Sequence, residues 1–249
     1  MRSLFITALG IVCPMLLPAQ TAEELISKNL LARGGVEKIK AIRTLRMSGK
    51  VQQGSFTAQF SRTAMAPNLV RDAVTVQGMS QIQAYDGSAG WQISPFEGRK
   101  DAELVGEDDL RELTEEADFY GPLTDYKIKD NRIEYLGHDT VDGDDAYRLK
   151  VTLANGDIIY YYLDPDTYLE IRTEKMQFIR GSIRESFTNL GSYKLVNGVY
   201  FPFSMEAGSK KSPADAAQIT IDKIEANLPV NPLDFKMPAH PPTPAGKEY

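Results

Sequence analysis

The chain has 249 residues, 42% hydrophobic and 25% charged, the profile of a globular protein rather than a disordered or fibrous one. Its net charge is −6, and no run of five or more basic residues occurs. An acidic chain without a basic stripe lacks the electrostatic footprint of a nucleic-acid binder, so that class is set aside.

The N-terminus, "MRSLFITALGIVCPMLLPAQ", has a positive Arg2 and an apolar stretch from Leu4 to Leu17 interrupted by Pro14. The stretch is short for a membrane span and fits a secretory signal over residues 1–20, cut near Ala19 or Gln20. Cys13 is the single cysteine and lies within this segment. Val12 before it is not small, so lipid anchoring at Cys13 is not expected. Removal of the signal leaves neither a disulfide framework nor a cysteine nucleophile.

"TAEELISKNLLARGG" opens the mature chain with a capping box, Thr21 and Glu24, and an apolar stripe ended by Gly34 and Gly35. "VEKIKAI" predicts a second short helix. From Thr44 to Pro95, strand-like runs follow one another between Gly, Pro and Asn signals: "LRMSGKVQQ", "SFTAQFSRT", "NLVRDAVTV", "SQIQAYD" and "GWQIS". Phe56, Ala58 and Phe60 alternate with polar residues, as in a sheet with one wet and one apolar face. "YDGSAGWQISP" is a hairpin around Asp86-Gly87. A strand follows its glycines where a phosphate loop would need a helix, so no phosphate loop is present. The hairpin is expected to put Trp91 and Ile93 on one face, with Tyr85 on the partner strand.

Residues 101–126 break the β pattern. "EDDLRELTEEADF" predicts an acidic helix with Leu110, Leu113 and Ala117 on one side and Phe119 just beyond. Its acids, opposed by Arg111 alone, read as a solvated face rather than a metal site. An insertion with one apolar stripe is a natural lid, and Leu110, Leu113, Ala117 and Phe119 are its candidate residues. Strands resume near Arg132 as hairpins turning at "DGDD", "ANGD" and "DPDT". "IIYYYL", apolar on both faces, reads as a central strand. "SIRESFTNLGSYKLVNGVYFPFSME" bends near Asn197-Gly198, and "AAQITIDKIEA" supplies a last strand in which Ile224 signals a bulge. Residues 21–237 read as one mainly β (α+β) domain, an antiparallel curved sheet of about 11–12 strands with a helical lid. The proline-rich segment 238–249 reads as a flexible tail.

Catalytic equipment is sparse. His138 and His240 are the only histidines and are not expected to meet. No nucleophile elbow, zinc-protease or Walker motif occurs. A pair of inward carboxylates for hydrolysis stays open, although strand acids such as Glu170, Glu174 and Glu185 alternate outward. No metal and no cofactor is expected, and the chain does not read as an enzyme. Aromatic and apolar residues on the strands are the candidates for a cavity: Phe56, Phe60, Tyr85, Trp91, Ile93, Tyr160, Tyr162, Phe178, Phe187 and Phe201. A curved sheet closed by a lid leaves apolar space that an acyl chain can fill.

The order of "AEELISKNLLARGGVEKIKAIRTLRMSGKV", "AYDGSAGWQISP", the acidic insertion, "YLGHDTVDGDDAYRLKV", "IIYYYLDPDTYLEIRTE" and "YKLVNGVYFPFSM" resembles outer-membrane lipoprotein-sorting proteins of the LolA/LolB-like superfamily. The resemblance implies an incomplete antiparallel β-barrel whose open side is covered by helices. It also implies a periplasmic setting, a cavity for lipoprotein acyl chains or other lipid, and membrane-bound donor and acceptor partners. With Cys13 poorly placed, a soluble, monomeric LolA-type carrier fits best. A periplasmic sensor or protein-interaction module on the same fold, carrying no lipid, is the alternative.

Overall fold

The computed structural model describes residues 20–179 and 181–238. The expectations for the leader, for Cys13 and for most of the proline tail, His240 included, lie outside the described residues.

Two helices come first, α1 (Ala22–Ala32) and α2 (Val36–Ala41). The Thr21 hydroxyl accepts from the Glu24 backbone N–H, as the capping box predicts. Five strands follow: β1 (Thr44–Gln53), β2 (Phe56–Met65), β3 (Leu69–Val76), β4 (Met79–Tyr85) and β5 (Gly90–Ser94). Residues 99–104, assigned above mostly to the break in the β pattern, instead form a strand, β6 (Arg99–Leu104). Its polar sequence hid it, because it is an edge strand with mostly exposed side chains. The acidic helix is α3 (Glu107–Glu116).

After it come β7 (Arg132–Val141), β8 (Asp144–Thr152), β9 (Ile158–Leu163), β10 (Glu170–Ile179) and β11 (Ser182–Gly191). The hairpin β12 (Lys194–Val196) and β13 (Val199–Phe201) then precedes β14 (Ser204–Ser209) and β15 (Ala217–Ala226). Asn197 and Gly198 both have positive φ in the hairpin turn, the backbone that Asn-Gly supplies at least steric cost.

Among the described residues, thirteen strands form one antiparallel sheet in the order β6-β5-β4-β3-β2-β1-β15-β14-β11-β10-β9-β8-β7. A bulge falls opposite Ser48 and Gly49, where Asp222 has no partner, two residues before Ile224. Six strand spacings separate β1 from β8, about 29 Å in a flat sheet. Yet Leu45 of β1 and Ile221 of β15 share one apolar cluster with Leu149 of β8, Leu163 of β9 and Leu25 and Leu30 of α1. The sheet must therefore curl around the helices. It stays open between β6 and β7, its two edges, and the segment carrying α3 links those edges.

Cross-strand pairs share a face, so the register identifies the inner, helix-covered side. Leu45 pairs with Ala64, Ala64 with Val70 and Val70 with Tyr85. Leu45 packs with α1, while Val70 and Tyr85 pack with Leu113 and Ala117 of α3. Both helices thus lie on the same face.

Candidate functional site

α3 lies across the inner face. Leu113 and Ala117 are buried against Val70 and Tyr85, and Leu110 packs beside them. Gly90 leaves them room: a Cβ there would come within 3.0 Å of Leu110 Cδ1 and 3.2 Å of Leu113 Cδ1. Phe119 continues into the main core, its ring edge-on to Tyr120 at 5.1 Å. The structure thus brings the four expected lid residues onto the inner face. Farther on, Tyr120 Oη donates to the carbonyls of Lys40 and Ile42, and Leu123 is buried in the core.

The acids of α3 are not all solvated, contrary to the reading above. Glu116 faces Arg62 of β2, whose Nη2 donates to Glu116 Oε2 at 2.7 Å. The same guanidinium grips Asp72 of β3 through Nε and Nη2, at 2.7 and 2.5 Å. Burial opposes Arg62's charge, but Asp72 and Glu116 outweigh it and hold the guanidinium firmly protonated. Burial pushes the Glu116 carboxyl up, against the pull of Arg62.

On the other side, Lys175 Nζ of β10 lies 2.5 Å from Glu115 Oε2, and Asn155 Nδ2 donates to Glu115 Oε1 at 3.0 Å. Arg111 of α3 forks onto Asp157, which is only 1% exposed and also accepts from Gln177 Nε2 at 3.2 Å. Burial, then a hydrogen bond that its protonated form donates to Asp157, pushes Glu115 up to about 7. Asp157 is held low, because Glu115, Gln177 and Arg111 outweigh its burial. α3 is therefore clasped to β2–β3 by one face and to β10 and the β8–β9 turn by another. Arg62 stands 54 residues from Glu116, and Lys175 is farther still from Glu115, which is why the sequence shows only Arg111 opposing the acids.

Between α3 and the inner sheet lies a cleft of about 510 Å³. Ile159 and Tyr161 of β9, Thr173 and Lys175 of β10, Ser186, Phe187 and Thr188 of β11 and Ala207 and Gly208 of β14 line its sheet side. Glu112, Glu115 and Glu116 line its helix side, with Pro122. A second cavity of about 480 Å³ lies against another face of α3, lined by Leu110, Thr114, Leu153 and Ala154 among others, and Glu115 and Pro122 border both. Either volume suits a small ligand, which typically needs about 300–1,000 Å³. Among the described residues no group of three or more metal-ligating side chains comes together.

The expected cavity residues divide between the two faces. Phe60 and Tyr85 are on the inner face, and Phe56 shares it but is 48% exposed at the strand end. Phe201 is buried in the main core. Six others point outward by register, although Phe187 among them also borders the cleft. Trp91 and Ile93 pair with Ala84 and Ile82, on the face opposite Tyr85, and Trp91 Nε1 donates to the Phe235 carbonyl at 2.7 Å. The C-terminal segment covers that face, so Trp91 lines no inner cavity.

Tyr160 and Tyr162 alternate away from Tyr161, and Arg148 stacks 4.4 and 5.5 Å from their ring centroids. Phe187 lies under Arg172 at 4.7 Å, and Phe178 is 64% exposed. Aromaticity was the misleading signal: this outer face buries rings under arginines. The inner residues missed are Ile159 and Tyr161, in register with Thr173 and Lys175. Within "IIYYYL" both faces are apolar, so no alternation could separate Tyr161 from its neighbours.

No family model matches the chain, and no curated protein matches its sequence. Solved structures do match its fold. A LolA superfamily protein from Nitrosomonas europaea superposes with a TM-score of 0.59 at 10% identity, over 88% of this chain and 98% of that one. An outer membrane lipoprotein-sorting protein domain from Vibrio parahaemolyticus gives 0.51 at 13% identity, over 84% and 97%. A DUF1329 family protein from Desulfovibrio piger gives 0.50 at 11% identity, over 86% and 97%. The fold is LolA-like, a large curved antiparallel sheet left open and filled by helices.

Proposed function

We propose that this protein is a non-enzymatic lipid carrier that holds an acyl chain, or the acyl chains of a lipoprotein, in the cleft beneath α3. The observation that carries this reading is the 510 Å³ space left between α3 and the inner sheet, walled by Ile159, Tyr161 and Ala207. A core that merely needed filling would close on itself at protein packing density. A bound chain gains about 0.8 kcal/mol for each CH₂ removed from water, without polar matching.

The LolA-like fold supports the reading, as does the secretory character of residues 1–20, which suits a periplasmic setting. Among the described residues no helix is long and apolar enough to cross a membrane. Membrane-bound donor and acceptor proteins would complete the transfer. Opening needs α3 to leave the sheet, and exchange then requires only a difference in affinity between carrier and acceptor.

The test is native mass spectrometry of the signal-free protein purified from a bacterial periplasm, with solvent extraction of what co-purifies. A lipid or acylated peptide at near one-to-one is expected, and Ala207→Trp, which fills the cleft without adding charge, should remove it. A clean apo mass, with added lipid failing to bind, would sink the carrier reading and leave a protein-interaction module.

A further inference from the structure

The inner face of β10 and β11 carries a polar square within the cleft wall. Register pairs Thr173 with Thr188 and Lys175 with Ser186, so all four side chains face α3. Apolar neighbours flank three of its corners: Tyr161 and Ile159 pair with Thr173 and Lys175 on one side, and Ala207 pairs with Thr188 on the other, where Ser186 pairs with Ser209. The square and its three apolar neighbours line the cleft.

A pocket for an alkyl chain alone has no use for this block, because hydroxyls and an ammonium covered by hydrocarbon lose their hydration. The hydroxyls of Thr173, Ser186 and Thr188 have no hydrogen-bond partner among the described residues. Lys175 faces Glu115, whose carboxyl oxygen sits 2.5 Å from Nζ, and also feels the charge of Glu116 on the same helix. The neighbouring charges are matched elsewhere, Asp157 by Arg111 and Asp72 by Arg62. Glu112, Glu115 and Glu116 all ride on α3, so lifting that helix removes all three and leaves Lys175 among three hydroxyls.

We propose that Thr173, Lys175, Ser186 and Thr188 seat the oxyanion head of a single-chain amphiphile, a fatty-acid carboxylate, and that Glu115 fills this seat when the cleft is empty. The inference rests on the carrier reading and adds a ligand class and an orientation: head against β10 and β11, chain along Ile159 and Tyr161. Glu115 already places a carboxyl oxygen 2.5 Å from Lys175 Nζ, the position proposed for the ligand's head. A carboxylate held by an ammonium and hydroxyls gains charge-assisted hydrogen bonds that an ester or alcohol head does not.

The experiment measures binding of palmitate, of 1-monopalmitoylglycerol and of inorganic phosphate to the delipidated signal-free protein. Palmitate should bind about tenfold more tightly than the uncharged monoglyceride, the order expected of a charge-assisted hydrogen bond. Lys175→Met should erase that preference, while Lys175→Arg should restore part of it. Should Lys175→Met fold poorly, the pair Ser186→Ala and Thr188→Val serves instead, with the same loss of preference expected. Phosphate alone should neither bind nor displace palmitate.

Equal binding of palmitate and monoglyceride would overturn the head-group seat while leaving the carrier intact. So would a Lys175→Met loss shared by both lipids. Phosphate bound without palmitate would also overturn it, by making the seat a free-anion site. Failure of both lipids to bind would remove the carrier reading and this inference with it.

Discussion

Docking of α3 is expected to depend on pH through Glu115. Its carboxyl, near 4.5 in an unfolded chain, is pushed up to about 7 by burial and by its hydrogen bond with Asp157. The folded protein therefore holds this proton over a range in which the unfolded chain has released it. Stability falls as pH rises from about 4.5 through 7, because the folded state binds more protons there. The full gap corresponds to on the order of 3 kcal/mol.

The groups acting on Glu115 are Asp157, Lys175 and Asn155, and Tyr161 feels its charge; Glu116 beside it on α3 also titrates. Of these, Asp157 acts with opposite sign and below its ordinary 3.8, where stability is lost as pH falls through its lowered value. Glu116 is raised and acts in the same direction as Glu115. Comparison of the protein with Glu115→Gln isolates Glu115, because the amide stays neutral throughout. Urea unfolding at pH 5 and pH 8 should show the wild type losing about 2–3 kcal/mol more than the variant over that interval. Equal losses in the two proteins would refute the assignment of a raised, proton-sharing Glu115.

Other substitutions test the remaining contacts of the site. Arg62→Met leaves Asp72 and Glu116 without their cation and should cost about 2 kcal/mol, below the value for fully buried pairs because these side chains touch solvent. Amide exchange over residues 107–117 should accelerate with it, which hydrogen-exchange mass spectrometry reads directly. Leu113→Asp puts a carboxylate against Val70 and Tyr85 and should undock α3 and abolish lipid uptake, with the sheet's circular dichroism retained. Trp91→Phe removes the buried bond to the Phe235 carbonyl, at about 1–2 kcal/mol, and should expose residues 228–238 to protease. In the intact protein, Trp91 fluorescence should stay unchanged on lipid binding, since that ring faces away from the cleft.

Local rules made much of the architecture legible. Thr21 and Glu24 set the start of α1, Asp86-Gly87 and Asn197-Gly198 set hairpins, and the Leu110, Leu113 and Ala117 spacing set α3 and its apolar stripe. β6 escaped because an edge strand, paired on one side only, carries little apolar signal. Which face of a strand looks inward is a different kind of fact. Along β9 every position is apolar, so Tyr161 became a cleft residue and Tyr160 and Tyr162 outer ones only when the sheet curled toward the helices.

The acids of α3 carry the same lesson. A dense acidic run reads as solvated because charge left unpaired belongs in water. Arg62 and Lys175 change that reading only when curvature brings β2 and β10 beneath one helix. The sequence by itself determined what local hydrogen bonding and periodicity control: the strands, the turns, the caps and the helical insertion. Tertiary structure alone decided which side chains meet, because curvature of a thirteen-stranded sheet is a property of the whole sheet and of no single stretch.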